Sequence, residues 1–341
     1  MRGTAVSITL HDVARLAGVS IKTVSNVIND YPHIRPGTRT RVEAAIDELG
    51  YRPNLSARSL RSGRSGVISL LIPDLRNAYF AELADAVMRA AQARGLSVII
   101  EQMPGGKEQE LEILRGPRMQ LVDGILYSVL ALGEEDAHEL DGTMPMVLLG
   151  DRIFHGPKDH VTMQNAEGSR AATEHLLSIG RRRIAALGAH PGEVVGSAGL
   201  RPDGYRQALD EAGVAYDPDL VIAVANWHRK DGADAMRSFL GIGTAFDGLV
   251  CFNDSMALGA MRVMQEAGLR IPLDVAVIGF DDIDETRYSI PSLSTIDPSK
   301  DEIAETAVAL LIERIENPGS DAPARDLATT FRVVQRESTT P

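Results

Sequence analysis

The chain has 341 residues, of which 44 % are hydrophobic and 24 % charged, and its formal net charge is −12. That length leaves room for two or three domains and a sizeable core. A single cysteine, Cys251, excludes an intrachain disulfide, and no long apolar run stands near the N-terminus, so a cytoplasmic protein without a membrane partner is expected.

From the N-terminus, Leu10, Val13, Ala14 and Ala17 repeat at i, i+3, i+4 and i+7, which is one face of a helix. Thr9 suits its N-cap, and Gly18 supplies the left-handed residue that ends it. Ser20 then caps a second helix with Val24, Val27 and Ile28 on its inner face. The outer face, Ile21, Lys22, Ser25, Asn26 and Asn29, is short, hydrogen-bonding or positive, as a helix entering a major groove requires. A solvated helical hairpin would show the same turn, but a third helix follows. Arg35-Pro36-Gly37-Thr38 opens it, Val42, Ala45, Ile46 and Leu49 form its core face, and Gly50 stops it. Residues 1–64 carry a net +5 and the rest −17, which confines phosphate attraction to this head.

The run Asp12-Val13-Ala14-Arg15-Leu16-Ala17-Gly18-Val19-Ser20, continued by Thr23-Val24-Ser25, and the later Gly50-Tyr51-Arg52-Pro53-Asn54 resemble the DNA-binding headpiece and hinge of the lactose-repressor (LacI/GalR) family of bacterial transcription regulators. The resemblance implies a helix-turn-helix headpiece over 1–52 and a hinge helix with linker over 53–65. It implies DNA contacts from Thr9, Ser20, Ile21, Lys22, Thr23 and Ser25, together with Asn26, Asn29 and Thr38. From the hinge it implies Asn54, Ala57 and Leu60, with Leu60 as an apolar wedge in the minor groove. The partners it implies are double-stranded operator DNA and a second copy of the chain, because two heads on a two-fold axis read a near-palindrome.

Arg61-Ser62-Gly63-Arg64-Ser65-Gly66 reads as a flexible joint. Beyond it, strands at 67–72, 96–101, 122–127 and 146–149 alternate with helices at 80–94 and 107–115. The alternation continues with helices near 166–179, 203–212 and 255–267 and strands at 184–187, 221–224, 248–252 and 275–278. A last helix at 301–316 is expected to return to the first lobe. Such alternation predicts a doubly wound α/β body of parallel sheets, and its length predicts two lobes over 66–341. Chain crossings are expected near 162–165 and 292–298. The family resemblance extends here, through Arg201-Pro202-Asp203-Gly204-Tyr205, Asn253-Asp254-Ser255-Met256 and Val277-Ile278-Gly279-Phe280-Asp281-Asp282, to the two-lobed periplasmic-binding-protein fold.

Ligands in open α/β sheets bind beyond the carboxyl ends of the strands. The polar and aromatic residues just past those ends are Asn77, Tyr79 and Phe80, then Asp151 and Arg152, then Arg201, Trp227, Asn253 and Asp281. Asp, Asn and Arg can each hold two neighbouring hydroxyls, and Tyr79 and Trp227 offer flat faces to the C–H side of a sugar ring. These positions match the family's effector contacts. Asp297-Pro298 stands where relatives often carry Gln, which leaves the exact sugar open. Arg152 and Arg201 are offset by Asp151 and Asp281, which favours a neutral ligand over a phosphorylated one. Asp254, just before a helix, reads equally well as an N-cap, and Asn165 has the same alternative before Ala166.

The sequence therefore predicts a DNA-binding regulator, a repressor by resemblance, controlled by a small effector such as a sugar. The alternatives are a purine or nucleoside effector, a partner protein, or a solute-binding protein without a regulatory role. No phosphate loop, zinc spacing or nucleophile elbow is present, so neither catalysis nor a cofactor is expected.

Overall fold

A computed structural model describes residues 8–28, 31–51, 64–103, 105–193, 195–320 and 322–340. The chain divides into two compact units, Met1–Ser65 and Gly66–Pro341. Asn29, Asn54, Ala57, Leu60 and the expected hinge helix lie outside the described residues.

The first unit contains α1 (Leu10–Ala17), α2 (Ile21–Ile28) and α3 (Pro36–Leu49). The Asp12 carboxylate takes both the backbone N–H (3.0 Å) and the hydroxyl (2.7 Å) of Thr9, closing the start of α1. Gly18 ends it in the left-handed region, and the Val19 N–H returns to the Ala14 carbonyl at 3.0 Å. Ser20 caps α2 by accepting the Thr23 N–H at 3.1 Å. Val13, Val24 and Val42, one from each helix, are fully buried together and fix the turn angle.

In the second unit the strands are β1 (Val67–Ile72), β2 (Ser97–Gln102), β3 (Gly124–Ser128), β4 (Met146–Leu149), β5 (Asp159–Thr162), β6 (Ile184–Ala189), β7 (Val221–Ala223), β8 (Gly248–Cys251), β9 (Ala276–Ile278), β10 (Thr295–Asp297), β11 (Asp326–Ala328) and β12 (Arg332–Val334). One sheet has the order β11-β5-β4-β3-β1-β2 and the other β7-β6-β8-β9, and every pairing within them is parallel. Strand β1 reads VISLLI and is buried over its last five residues, as a parallel strand covered on both faces should be. The helices that cover the sheets are α4 (Ala78–Gln92), α5 (Lys107–Arg115), α6 (Asn165–Ser178), α7 (Ser197–Glu211), α8 (Arg229–Ile242), α9 (Asp254–Glu266) and α10 (Lys300–Glu316). Helix α10 packs against α4 and against β3, β4 and β5, so it belongs to the first lobe, as expected.

The chain passes between the lobes three times. Two passages fall where the sequence places them, after β5 and through β10. The third, between β11 and β12, goes unseen in the sequence. β10 and β12 pair antiparallel and form a two-stranded strap, clamped by Asp297 and Arg332 at 2.8 Å. Asp297, the residue that departs from the family pattern, therefore serves the strap; it does not line the cavity described below.

Helix α7 begins at Ser197, six residues before the expected start, and carries Pro202 inside it. The proline withdraws one N–H from the ladder, but Tyr205, Ala208 and Leu209 beyond it are buried and hold the helix to the core. Two glycines let helices touch backbone to backbone. A Cβ on Gly204 of α7 would lie 2.0 Å from the Ala166 carbonyl oxygen of α6, and one on Gly259 of α9 would lie 2.0 Å from the Arg229 carbonyl oxygen of α8. These contacts set Arg201 on α7 and the Trp227–His228 entry to α8. Gly259→Ala must push α8 and α9 apart and is expected to cost about 1–3 kcal/mol or more. A melting temperature of the variant within one degree of the parent protein would refute that close approach.

Candidate effector site

The two lobes of the second unit enclose a cavity of about 570 Å³. Its first wall comes from the ends of β1, β3 and β4, with Asn77, Tyr79, Phe80, Asp151 and Arg152 on it. Its second wall follows β6, β7 and β9 and supplies Arg201, Trp227 and Asp281. Eight of the nine residues expected at the site line this one cavity, all beyond strand carboxyl ends.

The exception is Asn253. It is fully buried and does not line the cavity. Its Oδ1 accepts the Met256 N–H at 2.8 Å and its Nδ2 donates to the Trp227 carbonyl at 3.0 Å. Asn253, not Asp254, is the N-cap of α9, and it acts on the site by holding the Trp227 backbone. Asp254 is buried instead against Thr295 Oγ1 (2.7 Å) and the Ile283 N–H (3.1 Å). Burial and neighbouring Asp281 push its carboxyl well above the usual range. Asn165 is likewise no cap: it is the first residue of α6 and accepts Arg201 Nε at 2.7 Å.

Arg201 is 2 % exposed. Besides Asn165 it reaches the Phe252 carbonyl, the Met163 sulfur (3.3 Å) and Asp281 (3.5 Å), and its guanidinium lies 3.6 Å above the Phe280 ring centroid. Asp281 has a positive φ of 116° and its neighbour Asp282 one of 47°, strained values for residues with a Cβ. The corner is held by the Asp281 N–H to the Ile296 carbonyl (2.8 Å) and by Lys300 Nζ on the carbonyls of Asp281 and Asp282. Burial pushes the Asp281 carboxyl up to about 6, against the pull of Arg201 and Lys300. The Tyr79 hydroxyl is pushed far above the ordinary phenol range by burial and by Asp281 and Asp151, so it stays a donor.

Asp151 accepts hydroxyls from both lobes, Thr162 at 2.7 Å and Ser197 at 2.7 Å. Arg152 faces Glu193 at 3.4 Å and donates Nε to the Leu132 carbonyl. At another point of the wall, Asp74 meets His228 at 2.6 Å and Arg76 at 3.3 Å. Trp227 donates its indole N–H to the Gly188 carbonyl at 2.9 Å, which fixes the ring. Sequence reasoning misses Asp74, Glu193, Ser197 and His228. The signal for Glu193 and Ser197 lies in the long Gly/Pro-rich segment after β6, which an early start for α7 turns into a wall of the cavity.

Among the described residues no helix is long and apolar enough to cross a membrane, and no cluster of potential metal ligands occurs.

On the head, Ile21 is 42 % exposed and Lys22 is exposed, while Ser25, Asn26 and Thr38 are half-buried. The Thr9 hydroxyl is given to Asp12, and the hydroxyls of Ser20 and Thr23 lie 2.9 Å apart within the α2 cap.

A three-helix head with a helix-turn-helix, joined in one chain to a body of two parallel-sheet lobes, defines a ligand-domain transcription regulator. Residues 9–54 match the bacterial regulatory proteins of the lacI family, and residues 173–339 match the periplasmic binding protein-like domain. The chain is 33 % identical to the HTH-type transcriptional regulator RegA of Clostridium saccharobutylicum, over 97 % of this chain and 99 % of that protein. It is 34 % identical to the transcriptional repressor PurR of Vibrio atlanticus (91 % and 92 %) and 34 % identical to the ribose operon repressor of Escherichia coli K12 (91 % and 94 %). Among solved structures, a Sanguibacter keddieii chain assigned to the LacI family is 49 % identical with a TM-score of 0.76, covering 82 % of this chain and all 100 % of that one. The lac repressor dimer bound to operator and the anti-inducer ONPF is 29 % identical with a TM-score of 0.83, covering 98 % and 99 %. The chain belongs to the LacI family of DNA-binding transcription regulators.

Proposed function

We propose that this protein is a homodimeric repressor whose hold on an operator is set by a neutral sugar bound between the lobes of its body. The observation that carries this is the charge balance of the cavity. Each arginine in its wall, Arg76, Arg152 and Arg201, already faces a carboxylate, Asp74, Glu193 and Asp281 respectively. A phosphorylated ligand would have to displace one of these pairs. A hydroxylated one finds acceptors in Asp151 and Asp281, a donor in Tyr79, and ring faces in Phe80 and Trp227. Operator contacts are assigned to the outer face of α2, with Thr38 at the start of α3 and, by the family resemblance, Asn54, Ala57 and Leu60.

A purine is the second reading. The flat faces of Phe80 and Trp227 suit a base as well as a pyranose, and the chain is as similar to PurR as to the ribose operon repressor. Melting the full-length protein with ribose, glucose, cellobiose, ribose 5-phosphate, hypoxanthine and guanine separates the two. A ligand at about 100 times its Kd adds about 2.7 kcal/mol of stability, a readily measured rise. A rise with a neutral sugar, accompanied by a change in operator affinity, is expected. A rise with hypoxanthine or guanine alone would replace the sugar by a purine.

A further inference from the structure

We propose that His160, which does not line the cavity, is a positioning residue for its Asp151 corner, the middle of a relay running from Asp326 through Gly150. The proposal rests on the cavity being the effector site. His160 lies on β5 and is 1 % exposed. Its Nε2 is 2.7 Å from the Gly150 carbonyl oxygen, and its Nδ1 is 3.1 Å from Asp326 Oδ1 at the start of β11. The Gly150 N–H meets the Val161 carbonyl at 3.3 Å, so β5 holds the two successive peptides that flank the Gly150 Cα. Asp326 also accepts the His155 N–H at 3.1 Å and faces the His155 ring at 2.8 Å. One carboxylate thus ties down the imidazole and the far end of the loop that Gly150 begins. The Phe154 ring meets the imidazole edge-on, with centroids 4.9 Å apart, and fixes its plane.

The residue that this loop presents is Asp151. Its carboxylate takes the Ser197 hydroxyl at 2.7 Å, and its carbonyl takes the Gly196 N–H at 3.1 Å. Ser197 and Gly196 belong to the opposite wall. Displacing the Gly150 peptide therefore disturbs one ligand contact and two contacts that close the cavity. A half-buried carbonyl stripped of its donor is costly enough to move the loop toward another partner.

The test compares His160→Leu, which deletes both ring nitrogens at similar bulk, with His160→Gln, whose amide can still donate to Gly150. In the full-length protein without any sugar, hydrogen exchange over residues 149–156 is expected to speed up about tenfold in His160→Leu and to return toward the parent rate in His160→Gln, with α9 unchanged in both. Ribose and cellobiose are then titrated. Whichever of them binds the parent protein should bind His160→Leu about tenfold more weakly, with most of the loss recovered in His160→Gln and operator affinity without sugar unaltered. Combined with Asp151→Asn, the His160→Leu loss should be less than additive. Unchanged exchange at 149–156, no recovery by Gln, or full additivity would each overturn the relay. If neither sugar binds the parent protein, the exchange measurement by itself decides the relay.

Discussion

Asp281→Asn is expected to raise the stability of the effector-free protein at neutral pH and to weaken its response to effector. The carboxyl is 4 % exposed, and burial, aided by Glu82, outweighs Arg201 and Lys300 and pushes it up to about 6. In the unfolded chain an aspartate titrates near 3.9. Between about pH 4 and 6 the folded state therefore binds more protons than the unfolded state, and stability falls as pH rises through that window. Above it the cost of the buried charge is fully present. Asparagine carries no charge, so its melting temperature should exceed that of the parent protein most at pH 7 and above, by about 2–4 °C per kcal/mol relieved. The difference should shrink towards pH 4. Asparagine also converts one of two acceptor oxygens into a donor, so a ligand presenting two hydroxyls there loses about 1–3 kcal/mol, or roughly 5- to 150-fold in affinity. Arg201→Ala should differ in sign. It leaves Asp281 buried without its cation, and Asn165 Oδ1 and the Phe252 carbonyl without their donor, so a stability loss of about 3–5 kcal/mol is expected. Melting curves from pH 4 to 8 check both variants, with the effector's change in operator affinity measured beside them. An Asp281→Asn protein that melts lower at every pH, or whose operator affinity still changes at the parent's effector concentration, would remove Asp281 from the site.

What the sequence makes legible, and what it hides, follows from how burial is achieved. Strand β1 and the inner faces of α1 and α2 are apolar where they are buried, so periodicity reveals them directly. Strand β5 reads Asp-His-Val-Thr and is just as buried. Its polarity disguises it, because Asp159 is neutralised by Arg314 (2.8 Å) and Arg325 (3.1 Å), and His160 is hydrogen-bonded to Asp326, all far along the chain. The third passage between lobes is hidden too, since β11 and β12 are three-residue strands held by distant partners, β11 by β5 and His160 and β12 by β10 and Asp297. The strand-end rule brings out Asp151, Arg201, Trp227 and Asp281, which stand beside strands strong enough to be seen. It fails at Asn253, which caps α9 and does not line the cavity, and the cap reading given to Asp254 falls one residue late. Either side chain can cap a helix, and only the packing of Asp254 against Thr295 and Ile283 decides which of them does.

Lys22→Ala and substitutions at Ile21 are expected to change which operator is preferred, not merely how tightly it is held. On α2, Val24 and Val27 face the core, and the hydroxyls of Ser20 and Thr23 are engaged with each other in the cap. Ile21 and Lys22, exposed near the start of the helix, and Asn26, half-buried on the same outer face, are the groups assigned to base edges. A side chain that reads a base edge contributes about 1–3 kcal/mol of discrimination at one position of each half-site. Binding sites selected from a randomised duplex pool by Lys22→Ala should therefore lose or change their preference at that position and keep it elsewhere. Arg35, exposed at the start of α3, serves as the contrast. A phosphate contact carries no sequence information, so Arg35→Ala should weaken binding to every duplex alike and flatten the salt dependence by about 0.9 in slope for each phosphate no longer neutralised. If Lys22→Ala selects the same sequences as the parent protein and only its salt slope falls, then Lys22 is a phosphate ligand. Base reading would then belong to Ile21 and Asn26.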